Sequence, residues 1–412
     1  MKTNPFLSAQ KQMNTAYEFL KGRYDDEFPK ILTPERIIEV SIPVKMDNGE
    51  MKVFTGYRSQ HNAARGPYKG GVRYHPDVTK EEVMALSMWM SIKCATLDLP
   101  LGWGKGGIIV DPKQLSKKEL ESLSRGWVQK LYKYIGPLDD VPAPDVNTNG
   151  EVMSWFVDEY SMLVGHWTPG AFTGKPLSIG GSLGRDTATA QGGLYVLEAY
   201  LKWKNDSLRW KKVVIQGAGN AGLNMIELIT KTGAILIGTS DSHGWIYNEH
   251  GLDIEEIVRL KKEKQSLQGY REAKHITNEA LLELSCDILI PAALENQITL
   301  ENAQNIQAQL IMELANGPIT PDADEILFQK GIPVIPDILA NAWGVTVSYF
   351  EQVQNSMNYY WSKEEVQEKL KLKMEKALDW VIHSADTHGV MIRTWAYIVA
   401  LERILEAMKV RA

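Results

Sequence analysis

Three lysines stand where a charge could be delivered to a small molecule. Lys69 lies in Gly66-Pro67-Tyr68-Lys69-Gly70-Gly71, Lys93 closes a stretch of helical spacing ahead of Cys94-Ala95, and Lys105 sits in Leu99-Pro100-Leu101-Gly102-Trp103-Gly104-Lys105-Gly106-Gly107. Glycine tolerates positive φ and lets a backbone approach a ligand closely, so the spacing predicts glycine-rich turns around Lys69 and Lys105. Converging lysines would seat a di-anion, and crowding with desolvation would lower the pKa of at least one of them. Each alone is equally a snorkelling surface lysine. A carboxylate, Asp145, follows Val141-Pro142-Ala143-Pro144, whose prolines pre-set an extended backbone. An aspartate so placed either exchanges protons with a partner opposite or begins a helix.

A second constellation begins at Lys212-Val213-Val214-Ile215-Gln216, a buried-strand pattern that runs directly into Gly217-Ala218-Gly219-Asn220-Ala221-Gly222 and a helix to about Thr230. An apolar strand from Ala234 to Thr239 follows, ending in Ser240-Asp241-Ser242. Strand, Gly-x-Gly-x-x-Gly, helix, strand and acid in that order form the dinucleotide fingerprint. The glycines serve a tight turn and close approach, the helix N-terminus faces a pyrophosphate, and Asp241 can accept from the adenosine ribose. An acid there would repel a 2′-phosphate, which favours NAD over NADP. Gly180-Gly181-Ser182-Leu183-Gly184 also spells Gly-x-Ser-x-Gly, but only Pro176 to Ile179 could serve as the preceding strand. A serine in a glycine hinge accounts for it better than a nucleophile elbow.

These groups need a frame of at least two domains, which 412 residues allow. Helices are expected over Ala9–Leu20, Glu81–Lys93, Leu115–Tyr134 and Glu151–Leu163, and a hairpin over Ile37–Val53 turning at Asp47-Asn48-Gly49. Further strands at Cys286–Ile290, Gln309–Leu314 and Val334–Pro336 imply a parallel, doubly wound sheet. Ligands bind beyond the carboxyl ends of such strands, so Glu313 to Gly317, with Asn316 toward the cofactor, Asp337 and Asn341 are candidates. The fold expected is α/β: a substrate and oligomerisation domain over 1–180, a Rossmann-type domain over 181–345, and helices over 346–412 returning to the first. A 44% hydrophobic content, 23% charged content and net charge of -6 describe a soluble globular chain without a nucleic-acid-binding character. No signal peptide or membrane span is legible, which places the chain in the cytoplasm. Cys94 and Cys286 read as buried free thiols, and no metal is expected.

Six motifs in order carry a resemblance over nearly the whole chain. They are Gly66-Pro67-Tyr68-Lys69-Gly70-Gly71, Lys93-Cys94-Ala95, Gly104-Lys105-Gly106-Gly107, Pro142-Ala143-Pro144-Asp145, Thr173-Gly174-Lys175-Pro176 and Val345-Thr346-Val347-Ser348-Tyr349-Phe350-Glu351. Together they resemble the bacterial glutamate dehydrogenases, within the Glu/Leu/Phe/Val dehydrogenase family. The resemblance implies an oxidoreductase that deaminates L-glutamate to 2-oxoglutarate and ammonium with NAD(P), and the reverse, as a homohexamer of two-domain subunits that close over a cleft. By the same resemblance Lys93 binds the substrate α-carboxylate, and Lys69 with Ser348 holds the side-chain carboxylate. Lys105 is the catalytic lysine and Asp145 the proton shuttle. Thr189 and Asn220 lie near the nicotinamide carboxamide, and Asn341 is a substrate-cleft residue. Lys69 with Ser348 argues for an acidic substrate side chain, because a leucine or phenylalanine pocket would present an apolar wall.

Trp103 and Trp343 depart from the pattern, each standing where the family carries a glycine; Trp395 replaces a small residue less certainly aligned. Positive φ at either tryptophan would cost about 1 kcal/mol or more, and each indole adds roughly 200 Å² to bury. Three readings follow. The indoles face away and the chain is a working glutamate dehydrogenase; they reshape the pocket for another amino acid; or they block it, leaving a non-catalytic regulatory subunit of a hetero-oligomer.

Overall fold

Gly49, at φ +89°, turns the hairpin that starts the first sheet. In the computed structural model, which describes residues 5–184 and 188–411, helix α1 (Pro5–Tyr17) precedes strands β1 (Arg36–Lys45) and β2 (Met51–Asn62) of that hairpin. Then come β3 (Tyr68–His75), α2 (Lys80–Thr96), β4 (Trp103–Ile109), α3 (Lys117–Leu131), β5 (Asp140–Pro144) and α4 (Gly150–Val164). The strand order is β1-β2-β4-β3-β5. β2 pairs antiparallel with β1 and β4, while β3 pairs parallel with β4 and β5. The helices start where their caps allow: Thr79 caps α2, Ser116 and Glu119 form a capping box on α3, and Asn149 caps α4. Trp127 of α3 stacks on Phe156 of α4 at 5.1 Å in the core beneath the sheet.

Lys69 and Lys105 stand inside strands, where glycine-rich turns were expected. Of the glycines flanking them only Gly66 has a positive φ, +146°. The others are small because a neighbouring strand or side chain comes close. A Cβ on Gly70 would overlap the Gly104 carbonyl, and one on Gly104 would lie 3.1 Å from Arg58 Nη2. Glycine's poor strand propensity hides such strands from a sequence pattern. At Gly70 the close approach is between backbones, whereas Gly71 faces the Asp145 side chain and Gly107 those of Val78 and Val83.

The second sheet begins after helix α5 (Ala188–Trp203). It contains β6 (Lys212–Gln216), α6 (Asn220–Thr230), β7 (Ile235–Ser240), β8 (Trp245–Tyr247), α7 (Ile254–Lys262), β9 (Lys274–His275), α8 (Asn278–Leu282), β10 (Ile288–Pro291), β11 (Leu310–Met312), α9 (Pro321–Gln329), β12 (Val334–Ile335) and α10 (Asp337–Ala340). Its order is β12-β11-β10-β6-β7-β8-β9, parallel from β12 to β7 and antiparallel at β8 and β9. The chain runs outward from β6 and then returns to β10 on its other side, so the switch point of this doubly wound sheet lies beside the end of β6. Helices α11 (Trp343–Met357), α12 (Lys363–His388) and α13 (Ile392–Arg411) complete the chain.

Two compact units result. One holds Met1–Arg185, Val345–Glu368 and Tyr397–Ala412, the other Asp186–Gly344 and Lys369–Ala396. The three final helices are therefore divided between the units. Residues 185–187 of the glycine-rich boundary stretch lie outside the described residues. No helix among the described residues is long and apolar enough to cross a membrane. Cys94 and Cys286 are buried and free.

Because a Cβ at Gly70 has no room, Gly70→Ala should destabilise the first unit by about 1–3 kcal/mol, the usual range for overpacking. Chemical denaturation checks this, and an unchanged midpoint would show that β3 and β4 can separate without cost.

Candidate active site

Along β3, Lys69, Gly71 and Arg73 share one face by strand alternation. Gly71 leaves the gap between the two cations, and Asp145 fills it: a Cβ on Gly71 would lie 2.8 Å from Asp145 Oδ2. Asp145 Oδ1 accepts from Arg73 Nε at 3.0 Å and from the Val146 N–H at 2.7 Å, while Oδ2 is ion-paired to Lys105 Nζ. The Asp145 N–H donates to Thr148 Oγ1, which in turn donates to the Val72 carbonyl, so the carboxylate is fixed to the edge of β3. Burial alone would raise the Asp145 pKa. The charges of Lys105 and Arg73 outweigh it and hold the carboxyl well below the usual carboxylate range. The prolines of β5 deliver Asp145 to this position in extended backbone.

Lys69 is buried and forms a second group. Its Nζ donates to the Val141 carbonyl at 3.1 Å and to Thr173 Oγ1 at 2.7 Å, and Thr173 Oγ1 lies 2.6 Å from Ser348 Oγ of α11. An ammonium only donates, so Thr173 Oγ1 accepts from Lys69, and its hydroxyl links that ammonium to the Ser348 hydroxyl, either of the two oxygens being able to donate. Thr173 belongs to a motif of the family resemblance but received no role from the sequence. Only the fold shows that it joins Lys69 to Ser348.

Lys93 is in the last turn of α2 and partly exposed. It and Lys69 both act electrostatically on the buried Cys94 thiol. Burial pushes that thiol up to about 12, against the opposing pull of Lys69, the Trp103 indole and Lys93. The first unit thus holds all five of Lys69, Lys93, Lys105, Asp145 and Ser348, with Lys105 bonded to Asp145 and Lys69 joined through Thr173 to Ser348. Ser182, by contrast, follows a single 3-10 turn, Leu177–Ile179, and its hydroxyl is engaged by the Leu183 carbonyl and Gln354 Nε2. It has none of the setting of a nucleophile.

In the second unit the fingerprint glycines have three separate reasons. Gly217 turns at φ +100°, Gly222 allows α6 to approach the Gly217 carbonyl, and a Cβ on Gly219 would meet nothing within 4 Å. That open space at the N-terminus of α6 is what a pyrophosphate needs, so these residues fit a dinucleotide. Asn220 is exposed as the first residue of α6, and Thr189 lies in the first turn of α5.

Asp241 departs from expectation. Its side chain is only 6% exposed. Oδ1 accepts from the N–H groups of His243 and Gly244 and from Ser266 Oγ; Oδ2 accepts from Lys261 Nζ at 2.6 Å and the Leu267 N–H at 2.8 Å. Burial alone would raise its pKa, yet Lys261 and these N–H donors hold it low. A carboxylate offers about four acceptor positions, and five donors of the chain itself already share them, so Asp241 organises the 241–244 and 266–267 loops. Asn341 Nδ2 likewise donates to the chain itself, to the carbonyls of Leu314 and Ala315 and to Asn316 Oδ1. It braces the loop that carries Asn316.

The sequence profile of the Glutamate/Leucine/Phenylalanine/Valine dehydrogenase family matches residues 180–412, and that of the Glu/Leu/Phe/Val dehydrogenase dimerisation domain matches residues 34–162. The chain belongs to the Glu/Leu/Phe/Val dehydrogenase family. It is 50% identical over 408 residues to the catabolic NAD-specific glutamate dehydrogenase RocG of Bacillus subtilis, covering 99% of this chain and 96% of that protein. An NAD-specific glutamate dehydrogenase of Staphylococcus aureus is 49% identical over 393 residues, 95% of this chain and 94% of its own. Among solved structures, glutamate dehydrogenase from Peptoniphilus asaccharolyticus matches with TM-score 0.89 and 45% identity over 100% of both chains. The hetero-hexameric glutamate dehydrogenase from Thermus thermophilus, in its Leu-bound form, matches with TM-score 0.93 and 36% identity over 100% of this chain and 98% of that one.

Within this Glu/Leu/Phe/Val dehydrogenase the two intrusive tryptophans are housed by the protein's own packing. Neither is among the residues with positive φ. Trp103 is fully buried beside Cys94 of α2. Trp343 is fully buried with its indole flat against Gly192 of α5, where a Cβ would overlap the ring, and 5.5 Å from the Tyr195 ring. Neither tryptophan carries the strain of a positive φ, and Gly192 supplies the volume that Trp343 fills. Trp395 stacks on His388 at 4.4 Å.

The second unit also holds a cluster that the sequence did not disclose. Arg393 of α13 donates to Glu313 at 2.8 Å, to Asp324 at 2.6 Å and to Asp337 at 3.4 Å. Glu313 accepts from the Asp337 N–H, and Asp337 from the Gly317 N–H, so the cluster fastens the far side of the Asn316 loop. Burial pushes the Glu313 carboxyl from 4.5 up to about 7; Arg393 pulls it down, and Asp337 and Asp324 push it up. The folded chain therefore holds this proton more tightly than the unfolded chain. The resulting stabilisation is complete below pH 4.5 and lost as pH rises through about 7. Glu313→Gln, which cannot ionise, should gain thermal stability relative to the parent between about pH 5 and about pH 8. Melting temperatures of both proteins across that range check this; a constant difference would place the Glu313 titration elsewhere.

Proposed function

We propose that this chain catalyses the reversible, NAD-dependent oxidative deamination of L-glutamate to 2-oxoglutarate and ammonium, as a subunit of a cytoplasmic homohexamer. The observation that carries the reading is the pairing of a buried ammonium–hydroxyl seat, Lys69-Thr173-Ser348, with the Lys105–Asp145 ion pair on the same sheet. NAD specificity rests on the naming of the relatives from Bacillus subtilis and Staphylococcus aureus, since Asp241 is engaged within the chain. The hexamer rests on the Thermus thermophilus relative, described as hetero-hexameric.

NAD, when bound, supplies the hydride acceptor; Gly217, Gly219 and Gly222 would hold its pyrophosphate region, with Thr189 and Asn220 near the nicotinamide carboxamide and Asn316 toward the cofactor. Lys69 and Ser348 hold the side-chain carboxylate of glutamate, and Lys93 its α-carboxylate. Asp145 starts ionised, because Lys105 and Arg73 suppress its protonation. It therefore enters as an acceptor and takes a proton from the substrate ammonium or from the water that hydrolyses the imine. As water adds to the imine carbon, the C=N electron pair moves to nitrogen and Asp145 takes the proton that the attacking water gives up; Lys105, once loosened from Asp145, donates a hydrogen bond to the resulting carbinol oxygen. Asn341 supports the site through the Asn316 loop. A cleft blocked by tryptophan finds no support in the placement of Trp103 and Trp343, each seated in a slot of its own unit.

Purified protein should consume NADH with 2-oxoglutarate and ammonium, and far more slowly with 2-oxo acids that lack the second carboxylate. Lys105→Ala and Asp145→Asn should each lower kcat by roughly a thousandfold while NADH binding, read by fluorescence titration, stays within about twofold of the parent. Absence of turnover in the parent with NADH still bound would refute the reading; lost NADH affinity in Lys105→Ala would show that its role is misassigned.

A further inference from the structure

Two of the family motifs, Thr173-Gly174-Lys175-Pro176 and Val345 to Glu351, carry residues that the mechanism leaves without work: Lys175 and Glu351. The fold makes them one object. Both side chains are 0% exposed, and Lys175 Nζ lies 2.7 Å from Glu351 Oε1. Glu351 Oε2 accepts from the Gly174 N–H at 2.8 Å, and Oε1 accepts from the Lys175 N–H at 3.3 Å. Lys175 Nζ also donates back to the Phe172 carbonyl at 2.6 Å. The chain is thus bound to one carboxylate on both sides of Thr173, directly through residues 174 and 175 and through Lys175 at residue 172.

Thr173 is the residue whose hydroxyl lies between Lys69 Nζ and Ser348 Oγ. Ser348 and Glu351 are one turn apart on α11 and face the same way. The helix therefore presents Ser348 to one end of the seat and, three residues on, holds the backbone that presents Thr173. Moving Glu351 relative to the 172–175 loop would change the Thr173–Ser348 spacing directly. Groups that touch a ligand are only as well placed as the buried bonds that fix them. Gln354 and Asn355 of the same helix bind Ser182 Oγ and the Gly180 carbonyl, at 2.9 and 3.0 Å, so the rest of the segment stays attached when Glu351 alone is changed.

We propose that the buried Lys175–Glu351 pair is a positioning device for the carboxylate seat, setting the preference for a substrate with a terminal carboxylate while touching no substrate itself. The proposal rests on the reading that Lys69 and Ser348 receive the side-chain carboxylate. It assigns no chemical step to either residue.

Steady-state kinetics of the full chain with NADH, ammonium and either 2-oxoglutarate or 2-oxohexanoate test it. Glu351→Gln keeps the shape and one acceptor oxygen but removes the charge. It should raise KM for 2-oxoglutarate about tenfold or more, with kcat within about threefold, and lower the ratio of the two kcat/KM values about tenfold or more. NADH affinity should not change. A lower melting temperature with an unchanged ratio, or equal losses on both oxoacids, would reduce the pair to a structural role and overturn the proposal. If Glu351→Gln does not fold, Lys175→Met carries the test with the same two outcomes. Lys69→Met separates the failures: if it lowers the ratio and the Glu351 and Lys175 variants do not, the positioning role alone falls. If Lys69→Met leaves the ratio unchanged, the seat itself is misassigned and the proposal falls with it.

Discussion

The first unit depends on one constraint: β3 runs so close to β4 at Gly70 that a Cβ there would overlap the Gly104 carbonyl, and at Gly104 a Cβ would crowd Arg58 and Ser59 of β2. This proximity brings Lys69, Arg73 and Lys105 onto neighbouring strands, and the missing side chain at Gly71 admits Asp145 among them. Three cations near one another in a buried place would repel. Asp145 bonds Arg73 and Lys105, while Lys69 is dispersed over a carbonyl and a hydroxyl. Beneath them the buried Arg58–Asp140 pair, with Gln60 on the same carboxylate at 2.8 Å, braces β2 against β5, and Arg58 Nη1 reaches the Gly70 carbonyl at 3.1 Å. The charges of Lys69, Arg73, Lys105 and Asp145 therefore stand on a second layer of satisfied charges, as the expense of burying unpaired ions requires.

The same economy of small residues recurs in the second unit with a different purpose. Gly222 brings α6 onto the end of β6, Gly219 leaves open space for a ligand, and Gly192 makes room for an indole. Loops after the strands are then held by side chains that a simple fingerprint would assign to the cofactor. Asp241 collects the donors of its own loop, and Asn341 with the Arg393 cluster secures Asn316. Several polar residues near the ends of these strands thus shape the site rather than form its surface.

Much of this was legible in the sequence. The Lys212–Gln216 strand, the glycine turn and the α6 helix follow from hydrophobic run, motif and periodicity, and the hairpin from Asn48-Gly49. The strands bearing Lys69 and Lys105 were not legible, because glycine in a strand looks like glycine in a turn until the neighbouring backbone is known. Thr173 and Glu351 were visible only as members of motifs, since a hydrogen bond between residues so distant in sequence leaves no local pattern. The partners of Asp241 were hidden as well: its spacing from the glycines fits ribose binding, and only the fold shows the donors from residues 243 to 267 that converge on its oxygens. Trp103 and Trp343 looked obstructive because a larger residue at a glycine position signals strain, whereas Gly192 had already made the space for one of them.

The most direct measurement is a crystal structure of the chain with L-glutamate bound. The expected result places the side-chain carboxylate within hydrogen-bond distance of Lys69 Nζ and Ser348 Oγ, the α-carboxylate at Lys93, and the amine beside Asp145 and Lys105. Glutamate bound with its side-chain carboxylate away from Lys69 and Ser348, or with Lys105 and Asp145 still closed on each other and out of reach of the amine, would contradict it.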